Sequence, residues 1–97
     1  MRIEIAVSAA DDIAEGYLFY ETQDLGLGYY FEVCMMSHIS SLQIYAGIHE
    51  VHFEKYHRMI TNRFPYAIYY QVEGEIVRVY AVIDTRRSTQ WINERLN

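Results

Sequence analysis

The hydrophobic positions change period along the chain. Residues 2–7, RIEIAV, alternate and then run apolar, which is the pattern of a strand. Ser8 opens SAADDIAEGYLFYETQ, in which Ala10, Ile13, Ala14, Tyr17 and then Tyr20 or Glu21 recur at helical spacing. Ser8 with Asp11 three residues later has the form of a capping box. Asp11, Asp12 and Glu15 fall in the first turns, where the helix dipole favours negative charge. The expected helix covers about residues 9–22, and its Gly16, costly in a helix interior, marks close packing against a neighbour. QDLGLG breaks this helix. Phe31, Met35, His38, Leu42 and Tyr45 then repeat at intervals of four and three, widened by Cys34 and Ile39, and Gly47 ends the run. A connection this short predicts an antiparallel helix hairpin.

After Gly47 the period shortens. VHFEKYHRMIT is irregular to strand-like, whereas YAIYYQV and IVRVYAVI are two strands rich in β-branched and aromatic residues. EGE joins them as a β-hairpin, with Glu73-Gly74 expected at the turn centre. Pro65 precedes the first, a position where a strand tolerates proline. Alternation puts Tyr66, Ile68, Tyr70 and Val72 on one face and Ala67, Tyr69 and Gln71 on the other. It also predicts one continuous apolar face of Val77, Val79, Ala81 and Ile83. STQWINERLN predicts a short last helix capped by Ser88.

The order is strand, two helices, about three strands and a short helical tail. That is an α+β domain with the helix hairpin on one face of a mainly antiparallel sheet. Residues 1–97 are read as a single domain, because the length leaves no room for a second core. Tyr66, Ile68 and Tyr70 are expected under the helices. Tyr69, Arg78 and Tyr80 are expected to share the opposite, open face, an aromatic and cationic surface of the kind that stacks bases and holds phosphates.

Composition narrows the function classes. The chain is 52% hydrophobic and 22% charged, which excludes disorder. Its charge is divided unevenly. Residues 1–54 carry nine acidic side chains and one basic, Arg2, whereas residues 55–97 carry seven basic and four acidic. The net charge of −5 argues against general nucleic-acid binding, while the second half retains the makings of an anion-binding face. The lone Cys34 suits a reducing compartment. The opening MRIEIAVSAADD has one basic residue and no long apolar run, so neither a signal peptide nor a membrane span is expected, and the location read is cytoplasmic.

Two smaller patterns carry less. HEVHFEKYH gathers His49, His52, Glu54 and His57, but its spacing is one residue short of the H-E-x-x-H zinc pattern. Cys34 lies beside Met35 and His38 on the second helix, where a small buried thiol is the ordinary reading. No metal and no cofactor follows from either.

The segment RFPYAIYYQVEGEIVRVYAVIDTRRSTQW resembles the C-terminal half of the RelE/ParE toxin superfamily of type II toxin–antitoxin pairs. The resemblance rests on Arg63, Phe64-Pro65-Tyr66, Tyr69-Tyr70, the Glu73-Gly74 turn, Val77 to Val82, the pair Arg86-Arg87, and Trp91. Ala9 to Ala14 and Leu25-Gly26, with Phe31 early in the second helix, extend it across nearly the whole chain. Two places depart from the family pattern: Asp84 stands where a histidine is common, and Ser88-Thr89 where a proline is. The acidic balance also differs from RNA-cutting members.

The resemblance implies a cytoplasmic growth inhibitor neutralised by a small antitoxin, whose tail folds over the helices and a sheet edge. Leu18, Phe19 and Tyr30 are the contacts expected there. It leaves the target open between DNA gyrase, inhibited by binding as in ParE, and the ribosome with its messenger RNA, as in RelE. A non-toxic antitoxin-binding relative is a third alternative. For a nuclease, Arg63, Arg78 and Arg86 would hold phosphate and Asp84 would act as base.

Overall fold

A computed structural model describes all 97 residues, Met1–Asn97. The elements run β1 (Arg2–Ile5), α1 (Val7–Glu21), α2 (Leu27–Tyr45), β2 (Val51–His52), β3 (Tyr56–Ile60), β4 (Tyr66–Glu73), β5 (Ile76–Asp84) and α3 (Thr89–Leu96). The sheet has strand order β1-β5-β4-β3-β2. Only β1 with β5 is parallel; the other pairs are antiparallel. The irregular stretch after Gly47 therefore supplies two strands, making four after the helices. Its tight turn puts Phe53 and Glu54 in the left-handed region (φ 56° and 59°), which disguises the pattern of β2 and β3.

The helix hairpin is antiparallel, since Gly16 meets Phe31 while Tyr17 and Glu21 meet Gly28. Glu21 closes it from the α1 side. Its carboxylate accepts the Gly26 and Gly28 N–H groups at 2.9–3.1 Å, filling the donors left open at the start of α2. The capping box expected at Ser8 does not form. α1 begins earlier, at Val7, and the Ser8 hydroxyl donates to the Tyr80 carbonyl at 3.0 Å instead. Ser88 does cap α3, accepting the Trp91 N–H at 3.1 Å.

The main core lies between the hairpin and one sheet face. Ile13, Phe31, Met35 and Leu42 pack there on Ile68, Tyr70, Val77 and Val79. Tyr66 joins them from the edge, its ring 4.8 Å from that of Phe31, so the alternation read for β4 holds. The continuous apolar face expected for β5 does not. A bulge between the Tyr70–Val79 and Tyr69–Ala81 pairs leaves Tyr80 as an extra residue, and Ala81 and Ile83 turn to the opposite face. The turn of the β4–β5 hairpin is also displaced by one residue, because Glu73 pairs with Ile76 and Gly74-Glu75 form its centre.

The second sheet face is not open, as alternation alone suggests. α3 lies on it, burying Ile92 and Leu96 against Tyr56, Ala67, Tyr69, Ala81 and Ile83. Tyr69 is 1% exposed, and Tyr80 packs on Tyr56 at 5.5 Å between ring centroids.

Close approach governs Gly16. A Cβ there would stand 2.5 Å from Phe31 Cε2 and Cζ, and Tyr20, Phe64 and Tyr66 hold that buried ring in place. Alanine would add about 1 kcal/mol of helix propensity. Overpacking a ring that has nowhere to move costs about 1–3 kcal/mol, from which a net loss of up to about 2 kcal/mol is expected. Urea unfolding of Gly16→Ala checks this as a lower midpoint at unchanged slope; a raised midpoint would contradict the packing described.

Candidate functional site

α2 is apolar on both sides. Its inner stripe is core, yet Tyr29, Val33, Met36 and Ile44 lie on the outside with no protein over them, and Ile44 is 79% exposed. Between Leu27 and Tyr45 the only charged side chain is Glu32. A solvated helix face is normally polar, so an apolar one of this length makes the outer side of α2 a candidate docking surface. α1 extends it with Leu18 and Phe19, 62% and 52% exposed, and Tyr30 follows at 40%.

A second concentration of chemistry sits at the end of the β4–β5 pair. Tyr66 faces Asp84 across the two strands, and the Pro65 carbonyl accepts the Thr85 N–H at 2.7 Å. This brings Arg63, Asp84 and Arg86 to one end of the sheet. Arg63 is exposed and adopts a left-handed backbone (φ 70°), with its guanidinium 5.9 Å from the Tyr30 ring. Arg86 is held by Asp84 through two side-chain bonds of 3.0 and 2.7 Å. Those bonds hold the Asp84 carboxyl below its ordinary range and raise the Arg86 guanidinium. Arg78 is elsewhere. It lies six residues back along β5, roughly 20 Å away, and is paired with Glu4 and Glu73, each at 3.1 Å.

Beside this end, between α1 and α3, lies a groove of about 300 Å3. Glu15, Phe19, Tyr66, Asp84, Arg87 and Trp91 line it. Arg87 stacks over Trp91 at 4.2 Å. Burial, followed by the neighbouring Tyr20, pushes the Tyr66 hydroxyl up to about 12, so it stays a neutral donor.

Arg58, to which the sequence reading gave no role, shares a second pocket with Arg87. Arg58 donates from Nε to the Tyr69 hydroxyl at 3.0 Å. Arg58 and Arg87 line a pocket of about 290 Å3 with Tyr69, Thr85 and Thr89, and no carboxylate is among its walls. The ion pairs of the chain use Arg2, Arg78, Arg86 and Arg95, so these two, like Lys55 and Arg63, are free to meet an anion. The signal for Arg58 was its place opposite Tyr69 in β3, a strand hidden by the irregular turn before it.

The histidines of HEVHFEKYH pin the end of α2 to the sheet. The buried Tyr70 hydroxyl accepts the Gly47 N–H at 3.0 Å and bonds His49 Nδ1 at 2.5 Å. Gly47 fills one acceptor position of the hydroxyl, and His49 Nδ1 is the one acceptor its own proton can reach, which an unprotonated Nδ1 satisfies. His57 stacks on the Tyr70 ring at 5.0 Å and donates from Nδ1 to the His49 carbonyl at 2.7 Å.

The fold superimposes on a chain of the solved structure described as a chromosomal ParDE TA system from P. aeruginosa, with a TM-score of 0.77. The match covers 87% of this chain and 95% of that one at 16% sequence identity, so what they share is the fold. No family model matches this chain. No curated protein matches it either. No helix is long and apolar enough to cross a membrane.

Burial, and then the charge of His57, lowers His49 below its ordinary 6.5. A base with a lowered folded pKa stabilises the fold above 6.5, and that contribution is lost as pH falls through the folded value. His49→Asn keeps an acceptor near Nδ1 but cannot be protonated. Urea unfolding at about pH 7.5 and about pH 5 is therefore expected to show a smaller loss in the variant than in the parent; equal losses would place the acid sensitivity elsewhere.

Proposed function

We propose that the chain is the toxin component of a type II toxin–antitoxin pair, acting in the cytoplasm by binding its target, as ParE does, and neutralised by a small antitoxin. The uncharged outer face of α2 carries this reading. An apolar helix surface with no protein over it suits a partner segment that folds on binding, and the shared fold with a chain of a ParDE system supports the same pairing. DNA gyrase is the proposed target, from the resemblance of the sequence to ParE.

Binding is favoured over RNA cleavage by the state of the four residues proposed for a nuclease. Arg78 and Arg86 are already paired with carboxylates, and Asp84, held below its ordinary range, neither donates a proton nor makes a strong base. Arg63 is free but stands without an acid or base partner. The pocket with Arg58 and Arg87 supports a second reading, a ribosome-dependent messenger RNA endoribonuclease, since two unpaired guanidiniums suit a phosphate.

Controlled expression in bacteria separates the two through labelled precursors followed over the first minutes. The proposal expects thymidine incorporation to fall before methionine. Methionine falling first would favour the nuclease, with Arg58→Gln and Arg87→Gln the variants to make beside those of Arg63, Arg78, Asp84 and Arg86. With neither falling while the protein is folded, a non-toxic antitoxin-binding relative is the better account.

A further inference from the structure

Resting on the reading of the α1–α2 outer face as a docking surface, we infer that its occupant is a basic amphipathic helix, with an apolar stripe flanked by lysine and arginine.

Residues 7–45 contain Asp11, Asp12, Glu15, Glu21, Asp24 and Glu32 but no lysine or arginine. Two of the six carboxylates have partners within the molecule. Asp12 accepts the Val82 N–H and Arg95, and Glu21 accepts the Gly26 and Gly28 N–H groups. Asp11, Glu15 and Asp24 are exposed, Glu32 is half-buried, and none of the four is within ion-pair distance of a cation. Asp11 and Glu15 lie on α1, Asp24 in the turn and Glu32 on α2, the same two helices that present Leu18, Phe19, Tyr29, Val33 and Met36. Burying that face beneath a neutral or acidic helix would bring these carboxylates into a low dielectric uncompensated, whereas cations on the flanks of the occupant would pair with them. Two cations outside the ion pairs reach the margin of this surface, Arg63 at the Tyr30 ring and Arg87 in the groove with Glu15 and Phe19, and the four unpaired carboxylates outnumber them.

The geometry also sets the form of the occupant. Tyr29, Val33 and Met36 are spaced four and three apart, and Ile44 continues the exposed apolar surface toward the end of α2. From Tyr29 to Ile44 the face is roughly 22 Å long, the span of about four helical turns. A helix of about 15 residues with apolar side chains at i, i+3 and i+4 matches it.

Three synthetic peptides of equal length test the inference against the isotope-labelled full chain by NMR. One has a leucine stripe with lysine flanks, one the same stripe with glutamate flanks, and the third scrambles the lysine peptide. The lysine-striped peptide is expected to shift the outer-face amides of α1 and α2, to bind at least about tenfold more tightly than the glutamate one at low salt, and to weaken as salt is added. Asp11→Asn, Glu15→Gln, Asp24→Asn and Glu32→Gln combined should bring that preference close to unity, with the free variant's spectrum reporting that it is folded. Equal affinity for the two striped peptides would overturn the charge inference and leave the docking face standing. If neither striped peptide bound, or the scrambled one bound as well as the lysine stripe, the docking face itself would fail, and the inference with it.

Discussion

One extra residue in β5, Tyr80, governs how this small chain fills two cores with a single sheet. Tyr70 pairs with Val79 while Tyr69 pairs with Ala81, so the strand gains one position and its side chains exchange faces. Before the bulge, Val77 and Val79 lie beneath the helix hairpin; beyond it, Ala81 and Ile83 lie beneath α3. Without it Ala81 and Ile83 would point into the hairpin side, and Ile92 and Leu96 of α3 would lose half their bed. The bulge is thus what lets an eight-residue terminal helix dock on a face that would otherwise be open to solvent.

The bulged part of β5 also lacks a strand neighbour on the side away from β4. β1 pairs only as far as Val79. Past that point two side chains of α1 take the place of a strand: Ser8 donates to the Tyr80 carbonyl, and Asp12, one turn later, accepts the Val82 N–H. Arg95 of α3 then bonds both the Ser8 carbonyl and the Asp12 carboxylate. Asp12 therefore joins α1, the open edge of β5 and α3 at one point. Burial raises its carboxyl above the ordinary range even against the bond from Arg95. The helix that covers the second face is fixed to the helix that forms the first.

Strong periodicity was legible in the sequence. The two long helices, the β4–β5 hairpin and the Ser88 cap follow from spacing and turn chemistry, and the outward Leu18, Phe19 and Tyr30 follow from the hairpin. Long-range bonds and insertions were not. Ser8 has the form of a cap but is diverted to a strand edge seventy-two residues away in the chain. Ala81 and Ile83 alternate with Val79 in the sequence, and only the pairing register reveals the bulge between them. Arg58 was hidden because Phe53 and Glu54 turn with positive φ, a conformation seldom adopted by such side chains. At the candidate site, residue type identified arginines but not their partners. Glu4, which removes Arg78 from service as a phosphate clamp, comes from the opposite end of the chain.

The domain therefore separates an acidic and apolar helical face from a pocket carrying two unpaired arginines, with the sheet between them. On the function proposed above, the chain acts by binding partners rather than by breaking bonds. Purified chain added in parallel to a DNA gyrase supercoiling reaction and to translating ribosomes carrying a defined messenger RNA tests that claim most directly. The account predicts arrested supercoiling with the messenger RNA intact. Normal supercoiling with messenger RNA cut at the ribosome would contradict it.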